Sequence, residues 1–347
     1  MNDYNRQYKV GDPRAEELIR ELIEFCSPGE SGEMLREILT TVVKLGCEHK
    51  DVGDYRLINT TLKELRHAMR IFVPYRETRK AVVFGSSRTQ KTDPQYLMAR
   101  ELAERLAQNG FMIITGAGGG IMEAANLGAA REKSFGINIK LPAEQKSNPY
   151  IKDDPKLMTF KYFFTRKLIF IKESDATVLF PGGFGTLDEG FENLTLFQTG
   201  KCMLRPIVLM EPAGENYWGR WIDYLRDELL QKKFISPDDF KFFYHTRSVE
   251  DAVSHILGYY RIFHSLRYVK NLTVLRLTQS ISSALLDRLN REYGDILREG
   301  RIEVSSPLKD EIERKEFLDL PRLVLNFNKQ NFGRLNEMIH ELNRPAG

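Results

Sequence analysis

The sequence predicts an α/β protein: a doubly wound parallel sheet with a helical N-terminal region and a small C-terminal α+β unit. Two observations carry the central part. Between residues 78 and 263, apolar runs of about five residues alternate with amphipathic helical stretches, the pattern of a parallel sheet covered on both faces. Glycine-rich turns close several of those runs at their carboxyl ends, where such sheets bind ligands. A third observation is that the flanking stretches, 1–77 and 264–347, lack this alternation.

Residues 1–77 read as helices. Leu18, Leu22 and Phe25 recur at helical spacing, as do Leu35, Ile38, Leu39 and Val42, and then Leu57, Leu62, Leu65, Met69 and Phe72. Ser27-Pro-Gly-Glu-Ser-Gly32 has the turn chemistry that separates the first two. Cys47 and His49 are two potential metal ligands without a second pair, and ordinary packing is the better reading.

The central region opens with the strand Ala81–Gly85, which runs into Ser86-Ser87. A helix through Leu97, Leu102 and Leu106 stops at Asn109-Gly110. The strand Phe111–Thr115 leads into the cluster Gly116-Ala-Gly-Gly-Gly120 and a helix with Met122, Ala125 and Ala129. Strands follow at 135–139, 176–180 and 206–210, and a helix begins at Phe164. From 264 the order is βαββα: strands at 271–277, 301–304 and 322–327, with helices at 281–297 and 331–342. That order resembles part of a ferredoxin-like unit, which is an analogy of fold and assigns no function.

Composition narrows the class. The 347 residues are 42% hydrophobic and 29% charged, ordinary globular usage. A net charge of +3, with both signs interspersed, argues against nucleic acid as the main partner. No stretch approaches the ~20 apolar residues of a membrane span, and the polar N-terminus lacks a signal-peptide core. Three scattered cysteines form no disulfide framework, so a cytoplasmic protein is expected.

Chemistry concentrates in the loops. Pro181-Gly-Gly-Phe-Gly-Thr-Leu-Asp-Glu189 joins a buried strand to a helix with Leu187, Phe191 and Leu194 on its core face. Glycines at 182, 183 and 185 let backbone approach a ligand, and unpaired N–H groups at a helix start attract a phosphate. Thr186 adds a hydroxyl. Glu189, off the core face, is either a dipole-complementing acid or a carboxylate for ribose hydroxyls or a water. The 116–120 loop is no strict dinucleotide fingerprint: Ile121 or Glu123 falls where the last glycine belongs. Neither loop carries the Gly-Lys-Ser/Thr of a P-loop. Arg166-Lys167, just after Tyr162, Phe163 and Phe164, is a cationic pair such as a nucleotide site needs.

Together these residues resemble the Lonely Guy (LOG) family. Residues 181–189 match its PGGxGTxxE motif, Arg166-Lys167 its upstream Arg-Lys pair, Gly118-Gly-Gly-Ile-Met122 its GGGxM turn, and Phe84-Gly-Ser-Ser87 its first-strand loop. Gln198-Thr-Gly-Lys201 is similar to the end of the family's motif helix, and the likeness covers about residues 78–230. The resemblance implies a Rossmann-like fold and hydrolysis of nucleoside 5′-monophosphates to free base and ribose 5-phosphate. Members often carry an old lysine decarboxylase label, for which nothing here suggests a pyridoxal phosphate site. By the same resemblance Arg166 and Glu189 are the catalytic pair. Ser86, Gly118, Gly119, Gly120, Glu144, Lys167, Gly182, Gly183, Phe184, Gly185, Thr186, Leu187, Asp188 and Thr195 are substrate-binding candidates. No cofactor or metal is called for, and the six histidines form no ligand cluster.

The chain departs from the family in places. Phe164-Thr165 stand where plant members commonly have Met-His, and Glu123 replaces a frequent glycine. The substrate base is thereby left open among AMP, GMP, a pyrimidine nucleotide and a cytokinin riboside monophosphate. The competing reading is a nucleotide-binding regulatory or carrier protein of the same superfamily. A homo-oligomer is expected, as is a small-molecule effector at 264–347 whose deletion leaves basal turnover intact.

Overall fold

The structure is a computed structural model that describes residues 9–26, 28–48, 51–142 and 146–344. The chain forms two compact units, 1–63 and 64–347. The first contains helices α1 (Pro13–Cys26) and α2 (Gly32–Glu48) and the beginning of α3 (Val52–Phe72).

In the second unit, seven parallel strands form one sheet among the described residues. They are β1 (Lys80–Phe84), β2 (Met112–Thr115), β3 (Ser134–Ile139), β4 (Leu157–Phe160), β5 (Ala176–Leu179), β6 (Ile207–Met210) and β7 (Tyr244–Thr246). Their order is β4-β3-β2-β1-β5-β6-β7. The chain winds outward from β1 in one direction and from β5 in the other. The seam between β1 and β5 is thus the topological switch point, where a crevice opens at the carboxyl ends.

The helices α4 (Pro94–Gln108), α5 (Ile121–Ala129), α6 (Phe163–Lys172), α7 (Phe184–Gln198), α8 (Tyr217–Tyr224) and α9 (Val249–Tyr259) flank these strands in chain order. β1, β2, β5 and β6 are buried throughout, which explains their continuous apolar runs. Side chains alternate between faces: Ala81 and Val83 join one core with α4, α5 and α9, while Val82 and Phe84 join the other.

A second sheet has the order β10-β11-β9-β8, with antiparallel neighbours throughout. Its strands are β8 (Phe263–Val269), β9 (Leu272–Leu277), β10 (Leu297–Ser305) and β11 (Arg322–Phe327). Helices α10 (Ser283–Glu292), α11 (Lys309–Glu313) and α12 (Phe332–Leu342) complete it. The unit therefore begins one strand earlier than the expected βαββα. The order is that of a ferredoxin-like unit with its last strand moved to the front. β8 escapes the sequence pattern because His264, Ser265 and Arg267 break the apolar alternation. This sheet has no core of its own. Leu275, Leu325 and Met338 belong to the same buried cluster as Val82, Phe84 and Phe135.

Candidate active site

The carboxyl ends of β1, β2 and β5 bring three loops together, and the middle residue of the lock is Ser86. Its N–H donates to the Pro181 carbonyl at 3.1 Å, and its own carbonyl accepts from Ile121 N at 3.0 Å. Its Oγ accepts from Arg88 N at 3.1 Å. Gly120 adopts φ +61°, and a Cβ there would lie 2.2 Å from the Ser86 carbonyl oxygen. Only glycine fits both the backbone and the space.

The glycine loop of 182–185 splits into two kinds of position. A Cβ on Gly182 would meet Thr186 Oγ1 at 2.2 Å and Ser86 N at 3.0 Å, so this glycine is needed for packing. The Gly182 carbonyl accepts from the Tyr217 hydroxyl at 2.8 Å. Gly183 and Gly185 meet nothing within 4 Å. Their bare backbone faces open space at the start of α7, whose first turn carries no side-chain cap. Thr186 N and Leu187 N donate to the Gly183 carbonyl at 3.0 and 3.2 Å, which leaves the N–H groups of Phe184 and Gly185 at the positive end of the dipole.

These loops line a cleft of about 720 Å3. Of the sequence candidates, Ser86, Arg166 and the run Gly182, Gly183, Phe184, Gly185, Thr186, Leu187, Asp188 and Glu189 line it. Gly118, Gly119 and Gly120 do not: they buttress the loops from behind, with the Gly118 carbonyl held by Asn148 Nδ2 at 3.0 Å. Lys167 is likewise outside the lining, and its Nζ pairs with Asp188 and Glu192 at 2.8 and 2.7 Å. Thr195 lies on a separate groove with Phe191 and Leu225, and its hydroxyl donates to the Phe191 carbonyl at 2.8 Å. Glu144 falls outside the described residues, as does His49.

Glu189 sits one helical turn beyond Gly185, on the same face of α7. It is only 6% exposed. Burial pushes its carboxyl up to about 7, against the opposing pull of Lys167 and Arg166. Its Oε2 and the Nε of Arg166 are both buried without a hydrogen-bond partner. Arg166 itself is held below its ordinary value by burial, with Glu189 opposing. Its guanidinium packs where a side chain on Gly116 would be: a Cβ there would lie 2.8 Å from Nη2. A buried acid that titrates near neutrality beside a half-buried guanidinium, in a cleft, is the arrangement expected of reaction chemistry.

Several residues that sequence reasoning missed hold this pair in place. Glu64 accepts from Lys161 N and Thr165 Oγ1, both at 2.5 Å, and so secures the start of α6. Thr165 thus has a partner of its own. Arg205 is buried and donates to the Ile171 carbonyl of α6 at 3.2 Å and to Asn193 Oδ1 of α7 at 2.6 Å. It ties the helix of Arg166 to the helix of Glu189. Arg88 adds an exposed cation to the cleft. A cation just past a strand-end Ser-Ser was a legible signal for Arg88; Glu64 and Arg205 gave none, because their partners lie far along the chain.

Comparison with known proteins agrees with the loops. Residues 120–256 match a protein family described as "Possible lysine decarboxylase". The chain is 29% identical over 162 residues to the cytokinin riboside 5′-monophosphate phosphoribohydrolase of Mycobacterium tuberculosis, covering 45% of this chain and 82% of that protein. It is 36% identical over 72 residues to the enzyme of the same name from Arabidopsis thaliana, covering 21% of this chain but only 32% of that relative. Among solved structures, the molybdenum cofactor binding protein of Rippkaea orientalis is 20% identical over 52% of this chain and 97% of its own, with a TM-score of 0.37. The 182–185 glycine loop, Arg166 and Glu189 lie within the matched residues 120–256, and the chain is thus similar to the phosphoribohydrolases over the part that carries the cleft.

Proposed function

We propose that this protein hydrolyses the N-glycosidic bond of a nucleoside 5′-monophosphate, releasing free base and ribose 5-phosphate. The observation that carries the reading is Glu189, a buried, partly unpartnered carboxyl one turn below an open helix start. The relatives' shared name, phosphoribohydrolase, supports the same reaction class.

In this reading the phosphate sits on the bare backbone of Gly183 to Gly185, with Thr186 adding a hydroxyl and Arg88 a charge. That anchor orients the ribose over Glu189 and supplies binding energy remote from the reacting bond. Cleavage passes through an oxocarbenium-like state. The C1′–N bond breaks, the oxygen of a water adds to C1′, and a proton goes to the departing base nitrogen. Ionised Glu189 stabilises the cationic ribose and takes the proton of the attacking water. Burial pushes the Glu189 carboxyl up, and Lys167 and Arg166 temper the rise. We propose further that the 1–77 helices, where Phe25 and Met34 are exposed, support self-association, and that 264–347 is regulatory.

The test is product analysis with AMP, GMP, CMP, UMP and isopentenyladenosine monophosphate beside the matched nucleosides. Free base from monophosphates and not from nucleosides is the expected outcome, and the best substrate names the base. Binding without release from any of them would replace the hydrolase with a carrier.

A further inference from the structure

A second cavity, of about 640 Å3, lies away from the cleft, where the loop after β9 enters α10. Four arginines line it: Arg261, Arg288, Arg291 and Arg344. No acidic side chain lines it among the described residues. The carboxylates paired with these arginines, Glu341 and Glu292, do not line the cavity. Buried Glu341 serves two of the arginines at once, through Arg288 Nη2 at 2.8 Å and Arg344 Nη1 at 2.7 Å. Glu292 stands 4.0 Å from Arg291. Four guanidinium charges thus face two carboxylates, and about two positive charges are left over. The Nε of Arg288 is buried and donates to nothing. The positive end of the ten-residue helix α10 adds to the same field. Ile281 and Leu285 give the cavity an apolar wall.

We propose that this cavity is a binding site for an organic diphosphate. Guanidinium forks match phosphate oxygens two at a time, and arginines held apart on one wall can bridge two linked phosphates. The unbalanced charge suits a diphosphate, whereas a neutral ligand would leave it uncompensated. The volume exceeds what inorganic phosphate needs, and Ile281 and Leu285 offer a surface for an organic group. When the ligand enters, Arg288 and Arg344 exchange part of their bond to Glu341 for phosphate oxygens. The site stands apart from the hydrolase reading, since none of its residues lines the cleft.

The test is calorimetric titration of the full chain with pyrophosphate and with ADP at physiological salt. Arg291→Gln and Arg344→Gln serve as pocket variants, because both side chains are largely exposed and their loss spares the core. Pyrophosphate is expected to bind, and each variant to weaken it about tenfold. ADP is expected to bind at least as tightly as pyrophosphate and to lose affinity in the same variants. Pyrophosphate binding that both variants leave unchanged, or no binding up to millimolar concentrations, would overturn the site. ADP binding weaker than pyrophosphate would overturn the organic ligand. Because the readout is binding and not turnover, an inactive cleft leaves the result intact.

Discussion

Glu189 is where the reading of this protein can be decided most directly. Glu189→Gln keeps the shape and removes the base. We expect turnover to fall by about 100-fold or more while nucleotide binding changes little, as read by single-turnover assay beside calorimetry. Wild-type turnover should rise with pH through a limb near 7, where burial holds the carboxyl, and the glutamine variant should lack that limb. Stability moves the other way. Between an ordinary carboxyl value of 4.5 and about 7, the unfolded chain has released its proton while the native protein keeps it. Native stability therefore falls as pH rises through that window, and the whole cost is present above it. Glu189→Gln should melt higher than wild type at pH 8 and alike near pH 4. Equal melting at pH 8 would mean the carboxyl is ionised at no cost. Nothing in the sequence marks this titration, because Glu189 reads there as one of two neighbouring acids near a helix start.

Among the elements, the loop that opens α7 separates folding from binding within adjacent residues. Gly182→Ala forces a Cβ onto Thr186 and toward Ser86 N, so it should lower the melting temperature and activity together. Gly183→Ala meets nothing and keeps an extended backbone at φ −87°, so the melting temperature should hold while KM rises several-fold. If the two variants behave alike, Gly183 is not facing substrate. The motif was legible as a motif, but sequence could not divide its glycines between packing and ligand. That division depends on β1 and β5 being neighbours, a pairing made between residues 81 and 176. The edge strands β4 and β7 were illegible for a related reason. They are four and three residues long and partly exposed, so their apolar pattern is thin.

At the scale of the molecule, two consequences follow from packing. The four-stranded sheet shares its core with the parallel sheet, which revises the expectation that 264–347 can be deleted without harm. Truncation after residue 263 should uncover Tyr259 and His255, against which His340 of α12 packs, and give an insoluble or molten product, judged by near-UV circular dichroism and solubility. A soluble, active 1–263 fragment would show that the shared core is dispensable. The second consequence is sensitivity to acid. His255 of α9 and His340 of α12 lie with ring centroids 4.7 Å apart, with Tyr244 stacked on His255 and Tyr259 edge-on to His340. Burial and His340 push His255 down to about 3; burial and Arg344 push His340 to about 4, with Glu337 opposing. As pH falls from an ordinary 6.5, the unfolded chain takes up protons that the native pair refuses, so stability drains away through that window. His255→Phe should lessen the drop in melting temperature between pH 7 and pH 4.5.

Family resemblance suggested the Arg166–Glu189 pair, whereas the kind of fold, the position of most buried strands and the glycine loops were legible in the residues themselves. These are local: a continuous apolar run, a helix period and a glycine turn are all written within about a dozen neighbouring residues. Tertiary structure alone decided what depends on distant partners. It buried Glu189 and so raised its carboxyl, set Arg205 between two helices, left Thr195 on another groove, and turned Gly118 to Gly120 into a buttress. It also gathered Arg261, Arg288, Arg291 and Arg344 from three separate stretches into one cavity. Burial and charge are sums over everything that surrounds an atom, and those surroundings exist only once the chain has closed on itself.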